Sequence, residues 1–103
     1  MSATASDDPC HLAFDLGAGS GRAVLGRVEK DGLVLEEVHR FHYAPVLDSG
    51  RLRWPFGRIL DGLKQGLAHA QRAAGGRQGC LATVGVDSWG VDYGLLDAGG
   101  RLI

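Results

Sequence analysis

The stretch Asp15-Leu16-Gly17-Ala18-Gly19-Ser20-Gly21-Arg22 decides the interpretation of this 103-residue chain. Before it, residues 11–16 alternate between apolar and other side chains, which predicts a β-strand. After it, residues 22–29 predict a second strand. Three glycines within residues 17–21 would weaken a helix or a strand, so this segment is predicted to be a turn. Such a turn can present backbone N–H groups to a phosphate chain with no side chains in the way.

Several side chains of this stretch suit a phosphate site. Ser20 adds a hydroxyl donor, and the Arg22 guanidinium matches phosphate oxygens. Asp15 can hold Mg²⁺ through water, because Mg²⁺ prefers oxygen ligands and keeps several waters. The stretch is neither a Rossmann loop, whose glycine spacing opens a helix, nor a Walker A loop, which requires Gly-Lys-Ser/Thr. A plain hairpin turn remains an equally good interpretation of the pattern alone.

The remaining elements follow from periodicity and turn residues. In chain order we predict a strand over 33–43, a loop over 44–54, a helix starting at Pro55 and ending at Gly75-Gly76, a buried parallel strand over 80–86, a fifth strand over 91–96 and a turn over 97–100. The fold class is therefore α/β: a three-strand antiparallel meander, a helix, then a parallel strand. If that strand pairs with the first, Asp15 and Asp87 lie at one sheet edge, where ligands gather.

Composition limits the functional classes. The length suits one domain, and a net charge of -1 predicts no nucleic-acid or membrane partner. There is no run of about 20 apolar residues that would span a membrane. Residues 1–10 lack the features of a signal peptide and are predicted to be a disordered leader. Two cysteines without a secretory signal predict a reduced, cytoplasmic protein.

The stretch from Asp15 to Arg22 resembles phosphate loop 1 of the actin-like ATPase and sugar-kinase superfamily, and within it the opening motif of the rhamnulokinase branch of the FGGY carbohydrate kinases. Residues 37–41 are similar to the third strand of that family, and Trp54 lies where the family has a Trp before its first helix. Residues 84–93, Val-Gly-Val-Asp-Ser-Trp-Gly-Val-Asp-Tyr, resemble a segment that distinguishes this branch.

The resemblance implies a ribonuclease H-like fold, ATP and Mg²⁺ as cofactors, and transfer of the ATP γ-phosphate to the 1-hydroxyl of L-rhamnulose or a related ketose. Residues 11–103 would be the N-terminal part of the N-terminal kinase domain, cut short at the C-terminal end. The catalytic base and the adenosine pocket would lie downstream, so no catalytic residue is assigned within the chain. The 103 residues alone are expected to be inactive.

The resemblance also assigns roles residue by residue. The residues that would contact the ATP phosphates are Ala18, Gly19, Ser20, Gly21 and Arg22. Asp15 would hold Mg²⁺ through water. The sugar would be contacted by Gly90, Trp89 and Asp87. Three positions depart from the family pattern. Gly19 replaces a Ser, Ser88 replaces a Thr, and Pro55 replaces an Asp whose cap or sugar contact is lost.

Other interpretations stay open at this point. Trp89 is equally a sugar platform or a packing aromatic. The chain is alternatively a non-catalytic ribonuclease H-like binding module or a truncated gene product. A two-metal nuclease or phosphohydrolase using Asp15, Asp87 and Asp92 is the third hypothesis, disfavoured by the Gly-rich turn and the near-neutral charge. An incomplete sheet would expose edge strands, so the isolated piece is expected to self-associate.

Overall fold

The computed structural model describes residues 9–75 and 80–103. Its elements in chain order are β1 (Cys10–Leu16), β2 (Ser20–Glu29), β3 (Gly32–His42), β4 (Val46–Asp48), β5 (Arg51–Arg53), α1 (Phe56–Ala73) and β6 (Leu81–Asp87). Most of the predicted leader, residues 1–8, and the predicted helix-ending Gly76 lie outside the described residues.

Four strands form a mixed sheet in the order β3-β2-β1-β6. The pairs β1–β2 and β2–β3 are antiparallel, whereas β1 and β6 are parallel. The predicted meander, helix and parallel strand are therefore confirmed. The crossover through α1 returns the chain in the direction of β1, which is why β6 runs parallel to it. In this register Asp15 lies opposite Asp87, as predicted.

The core lies between α1 and one face of the sheet. Alternate residues of β1 point to α1, because successive strand side chains alternate between faces. The buried cluster contains Cys10, Leu12, Phe14, Ala23, Leu25, Ala70 and Ala74. Burying side chains of this kind contributes roughly 1.5–3 kcal/mol for each large one. The opposite face of β1 is exposed and carries Asp15.

Cys10 corrects the predicted end of the leader. It belongs to β1, its side chain is only 4% exposed, and its backbone N–H donates to the Cys80 carbonyl at 2.7 Å. An apolar thiol at the end of an alternating run extends the buried face of the strand by one residue. Cys10 and Cys80 are free cysteines in the structure.

The glycines of α1 let the helix lie close to the sheet. A Cβ on Gly62 would come within 2.2 Å of the Phe41 ring, and one on Gly66 within 2.7 Å of the Phe14 ring. Both glycines are buried. Small residues at these two positions therefore permit the close approach of α1 to the sheet. α1 begins without a side-chain cap, as expected from Pro55, which stands where the resembled family has an Asp.

Replacing helix glycines with alanine should give effects of opposite sign at matched positions. Gly62→Ala should lower the free energy of unfolding by about 1–2 kcal/mol, because the steric cost of overpacking exceeds the helix-propensity gain. Gly57→Ala is the control. Nothing lies within 4 Å of its Cβ position, so it should stabilise by up to about 1 kcal/mol. Urea denaturation followed by circular dichroism measures both, and equal effects would refute the close helix–sheet contact.

Two predictions for segments that follow β3 are wrong. The predicted loop over 44–54 contains the hairpin of β4 and β5. Its turn residues Ser49 and Gly50 both have positive φ, at 52° and 78°. That geometry matches the right-handed twist of paired strands, and Ser-Gly was the signal for it. The predicted fifth strand over 91–96 is reduced to an isolated bridge between Leu96 and Leu102.

The predicted turn over 97–100 is confirmed, and it lies between the two residues of that bridge. The Asp97 carboxylate accepts hydrogen bonds from the backbone N–H groups of Gly99 and Arg101, both at 2.9 Å. These bonds favour the charged form, so the Arg101 and Gly99 amides lower the pKa of Asp97. Val91 has a φ of 68°, which lies outside the extended region, so a strand cannot start there.

The two outer strands of the sheet, β3 and β6, carry exposed apolar side chains, including Leu33, Leu35, Val84 and Val86. Exposed edges of this kind promote pairing with another chain. Self-association of the isolated piece therefore remains a prediction. Within the described residues, no helix has the length and apolar character that crossing a membrane requires.

Candidate functional site

The Gly-rich turn joins β1 to β2, and hydrogen bonds from Tyr43 hold its backbone in place. The Gly17 N–H donates to the Ser20 carbonyl at 2.9 Å and closes the turn. The Tyr43 hydroxyl donates to the Gly17 carbonyl at 2.5 Å and shares its proton with the Ser20 carbonyl at 3.2 Å. The Tyr43 N–H also donates to the Gly19 carbonyl at 3.2 Å. Tyr43 thus donates hydrogen bonds to three carbonyl groups of the turn.

This bracing determines which backbone groups the turn presents outward. The Gly17 carbonyl and the Ala18 N–H belong to one trans peptide unit, so they point in opposite directions. Because the carbonyl is directed at Tyr43, the Ala18 N–H is directed away from it. The Cβ position of Gly19 has nothing within 4 Å, so the tip of the turn is open to a ligand. An outward N–H beside open space is the arrangement that a phosphate oxygen requires.

Arg22 and Asp15 lie next to the turn. The Arg22 guanidinium donates to Asp15 Oδ2 from Nε at 3.2 Å and from a terminal nitrogen at 2.8 Å. Its other terminal nitrogen donates to the Ser20 hydroxyl at 3.1 Å. Side-chain exposure is 25% for Arg22 and 55% for Asp15, so this ion pair adds about 1 kcal/mol of stability at most. Its effect is to hold the guanidinium plane next to the turn.

Gly21 has a packing role that the sequence did not reveal. It lies in β2, paired in register with Leu16 and Phe41. A Cβ at this position would come within 2.4 Å of the Phe41 ring. The structure therefore explains this glycine through the close approach of the aromatic ring beneath the turn.

An aromatic cluster adjoins the turn through the same tyrosine. The Tyr43 ring lies 6.0 Å from Trp54 and 6.5 Å from Trp89, and the two indoles are 4.9 Å apart. Asp92 Oδ2 accepts both indole N–H groups, at 3.1 Å from Trp54 and 2.6 Å from Trp89. One carboxylate oxygen therefore fixes two tryptophans from distant parts of the chain.

Tyr43 is the most buried member of this cluster, at 4% exposure. Burial raises the pKa of its phenol, with a smaller opposing effect from the Arg22 charge. The neutral hydroxyl that donates to the turn is thus maintained to higher pH than in an exposed tyrosine. No sequence signal identified Tyr43, because its role depends on the β2–β3 register, which places the end of β3 under the turn.

The predicted sugar residues lie at the end of β6 and directly after it. Asp87 ends the strand opposite Asp15, and Trp89 follows it into the aromatic cluster. Nothing lies within 4 Å of a Cβ on Gly90, so its backbone is approachable. The structure thus brings Trp89 to the turn through Tyr43, and Asp87 to Asp15 through strand pairing. It gives Asp92 a partner set that the sequence did not suggest.

The third hypothesis required Asp15, Asp87 and Asp92 to gather around metal ions. In residues 9–75 and 80–103, no group of three or more His, Cys, Asp or Glu side chains is placed to hold one. Asp92 is engaged by the two indoles instead. The geometry gives the two-metal hypothesis no support.

Comparison with known proteins identifies the class. No protein-family model matches the chain. It is 40% identical to a curated rhamnulokinase of Bacteroides thetaiotaomicron over 96 residues, which cover 89% of this chain and 18% of that protein. It is 37% identical to the Bacillus subtilis rhamnulokinase over 90 residues, with 87% and 18% covered. For the Enterococcus faecalis rhamnulokinase the values are 36% over 94 residues, with 90% and 18% covered.

Fold, turn and relatives together define a segment of a carbohydrate kinase, with an α/β architecture of the sugar-kinase type. Within that class, the chain belongs to the rhamnulokinase family and matches its N-terminal part, as the sequence motifs indicated. The chain spans about 18% of the length of the curated relatives it matches.

Proposed function

We propose that this chain provides the phosphate-binding turn and part of the sugar site of an ATP-dependent kinase that phosphorylates L-rhamnulose at its 1-hydroxyl. The observation that carries the proposal is the open turn. Tyr43 holds its carbonyls on one side, the Ala18 N–H faces the other, and Arg22 lies alongside. The similarity to curated rhamnulokinases supports the choice of sugar.

The proposed phosphate contacts are of three kinds: backbone N–H groups, a hydroxyl and a guanidinium. Ala18 and Gly19 offer backbone N–H groups at the open tip, and Ser20 offers its hydroxyl. Arg22 offers the guanidinium, already oriented by Asp15 and Ser20. Gly21 contributes through the close packing beneath the turn. Phosphoryl transfer depends mainly on positioning and on stabilising charge, so a preformed cradle of this kind is what the chemistry needs.

Asp15 is suited to hold Mg²⁺ through a metal-bound water. Nucleotide-bound Mg²⁺ is typically held by one or two carboxylates together with phosphates and waters. Both guanidinium contacts fall on Oδ2 of Asp15, so Oδ1 is left to accept from a metal-bound water. When bound, Mg²⁺ would offset the negative charge of the phosphates. Asp15 would fix the position of the Mg²⁺ ion relative to the turn.

The proposed sugar contacts lie at the end of β6 and directly after it. Asp87, Trp89 and Gly90 lead from the sheet edge toward the aromatic cluster. The Trp89 N–H is occupied by Asp92, so this tryptophan would offer a sugar its ring face rather than a hydrogen bond. The base that activates the sugar hydroxyl would come from residues outside this chain, and the 103 residues alone would bind without turning over.

Calorimetric titration of the chain with Mg-ATP tests the phosphate site. One-to-one binding is expected, and Arg22→Ala should weaken it roughly ten- to hundredfold, because charge-assisted hydrogen bonds are lost. Arg27→Ala, further along the same strand, is the matched control and should bind as the wild type does. Equal affinities for both variants would refute the assigned role of Arg22.

Two further assays separate the competing functions. Binding of Mg-ATP or L-rhamnulose without ADP formation is expected of a kinase segment and of a non-catalytic module alike. ADP formation by a longer chain then distinguishes the two. Metal-dependent cleavage of a nucleic acid by the 103-residue chain would instead revive the nuclease hypothesis.

A further inference from the structure

We infer that Tyr43 is a positioning residue that shapes the phosphate turn and couples its occupancy to the Trp54–Trp89 pair. The inference rests on the proposed function, since it assumes that phosphates occupy the turn. Tyr43 contacts both regions at once: its hydroxyl reaches the Gly17 and Ser20 carbonyls, and its ring lies against both indoles.

The coupling has a physical route. A phosphate that binds the Ala18 N–H pulls on a peptide unit whose carbonyl is bonded to the Tyr43 hydroxyl. Tyr43 is buried, so its ring cannot move without displacing its neighbours. Two of those neighbours are Trp54 and Trp89, which share the Asp92 carboxylate and must adjust together. A shift at the turn is therefore transmitted to the surface proposed to contact the sugar.

The coupling must also act in reverse. If phosphate in the turn changes the affinity for a sugar at the tryptophan pair, a sugar bound there must change the phosphate affinity by the same factor. Tyr43 would thus link the occupancy of the two subsites without touching either ligand. This places a regulatory contact between substrates on a residue that no motif of the sequence contains.

Nuclear magnetic resonance on the ¹⁵N-labelled 103-residue chain tests the inference. The chain has two tryptophans, and both belong to the cluster, so its two indole N–H signals report on that cluster alone. The probe is inorganic tripolyphosphate with Mg²⁺, which has no adenine ring to stack on an indole. In the wild type, the Ala18 and Gly19 amide signals and both indole signals should shift together during the titration.

Tyr43→Phe keeps the ring and removes the hydroxyl. The turn amides should still shift, with affinity for tripolyphosphate about five- to tenfold weaker, as the loss of a net hydrogen bond predicts. The indole shifts at saturation should fall to less than half of the wild-type values. Tyr93→Phe is the matched control, because Tyr93 is 87% exposed, and it should reproduce the wild type.

Each outcome decides something. If the turn amides of the wild type do not move, the proposed phosphate site fails. If they move while the indoles stay still, or if the indoles move equally in Tyr43→Phe, the phosphate site stands and the coupling is refuted. Should Tyr43→Phe fail to fold, Asp92→Ala tests the coupling from the other end. It releases both indoles and should change tripolyphosphate affinity at least threefold; unchanged affinity would overturn the inference.

Discussion

Replacing Asp15 with alanine should lower sugar-dependent ATP turnover by roughly a hundred- to a thousandfold, the usual cost of removing one preorganised electrostatic group. The measurement needs a complete kinase. A chimera in which residues 11–103 replace the aligned segment of the Bacillus subtilis rhamnulokinase supplies one. Asp15 has two roles in our proposal: it orients Arg22, and it accepts from a water of Mg²⁺.

The two roles of Asp15 can be separated. Loss of the metal contact should raise the Mg²⁺ concentration needed for half-maximal turnover, whereas loss of the Arg22 contact should raise KM for ATP. Asp15→Asn keeps an oxygen acceptor and should fall between the wild type and Asp15→Ala. Asp31→Ala, at the exposed turn between β2 and β3, is the control. Normal turnover by Asp15→Ala would refute the role assigned to this carboxylate.

Replacing Phe14 with alanine should lower the free energy of unfolding by about 3–5 kcal/mol, through lost transfer energy and the cavity left behind. Phe14 is 4% exposed and packs against α1 at Gly66, the centre of the helix–sheet contact. Small domains have only about 5–15 kcal/mol of total stability, so this change removes much of it.

Phe56 provides the comparison for Phe14. It begins α1, and its side chain is 57% exposed. Phe56→Ala should therefore change the free energy of unfolding by less than about 1 kcal/mol. Urea denaturation at constant pH compares the two variants. Similar losses for both would mean that the core does not lie between β1 and α1.

The elements that the sequence predicted well have strong local signals. Alternation gives β1 its buried face, and the helical periodicity of the apolar residues gives α1. The parallel pairing of β1 and β6 followed from the helical crossover, which leaves few alternatives. The turn between β1 and β2 was recognisable because its glycines are concentrated there.

The missed features depend on contacts between distant residues. Tyr43 braces the turn only because the β2–β3 register, with a bulge between Ala23 and Val24, brings the end of β3 beneath it. The Asp92 contact with Trp54 joins residues 38 positions apart. The β4–β5 hairpin was missed for a different reason: its strands are three residues each, too short for a periodic pattern.

The central claim is that this chain forms the phosphate turn and part of the sugar site of a rhamnulose kinase. The most direct test is ADP formation by the chimera that carries residues 11–103, assayed with L-rhamnulose and with other ketoses. Our account predicts ADP formation that depends on L-rhamnulose and is reduced with the other ketoses. A chimera that is folded and binds Mg-ATP, yet forms no ADP with L-rhamnulose, would contradict it.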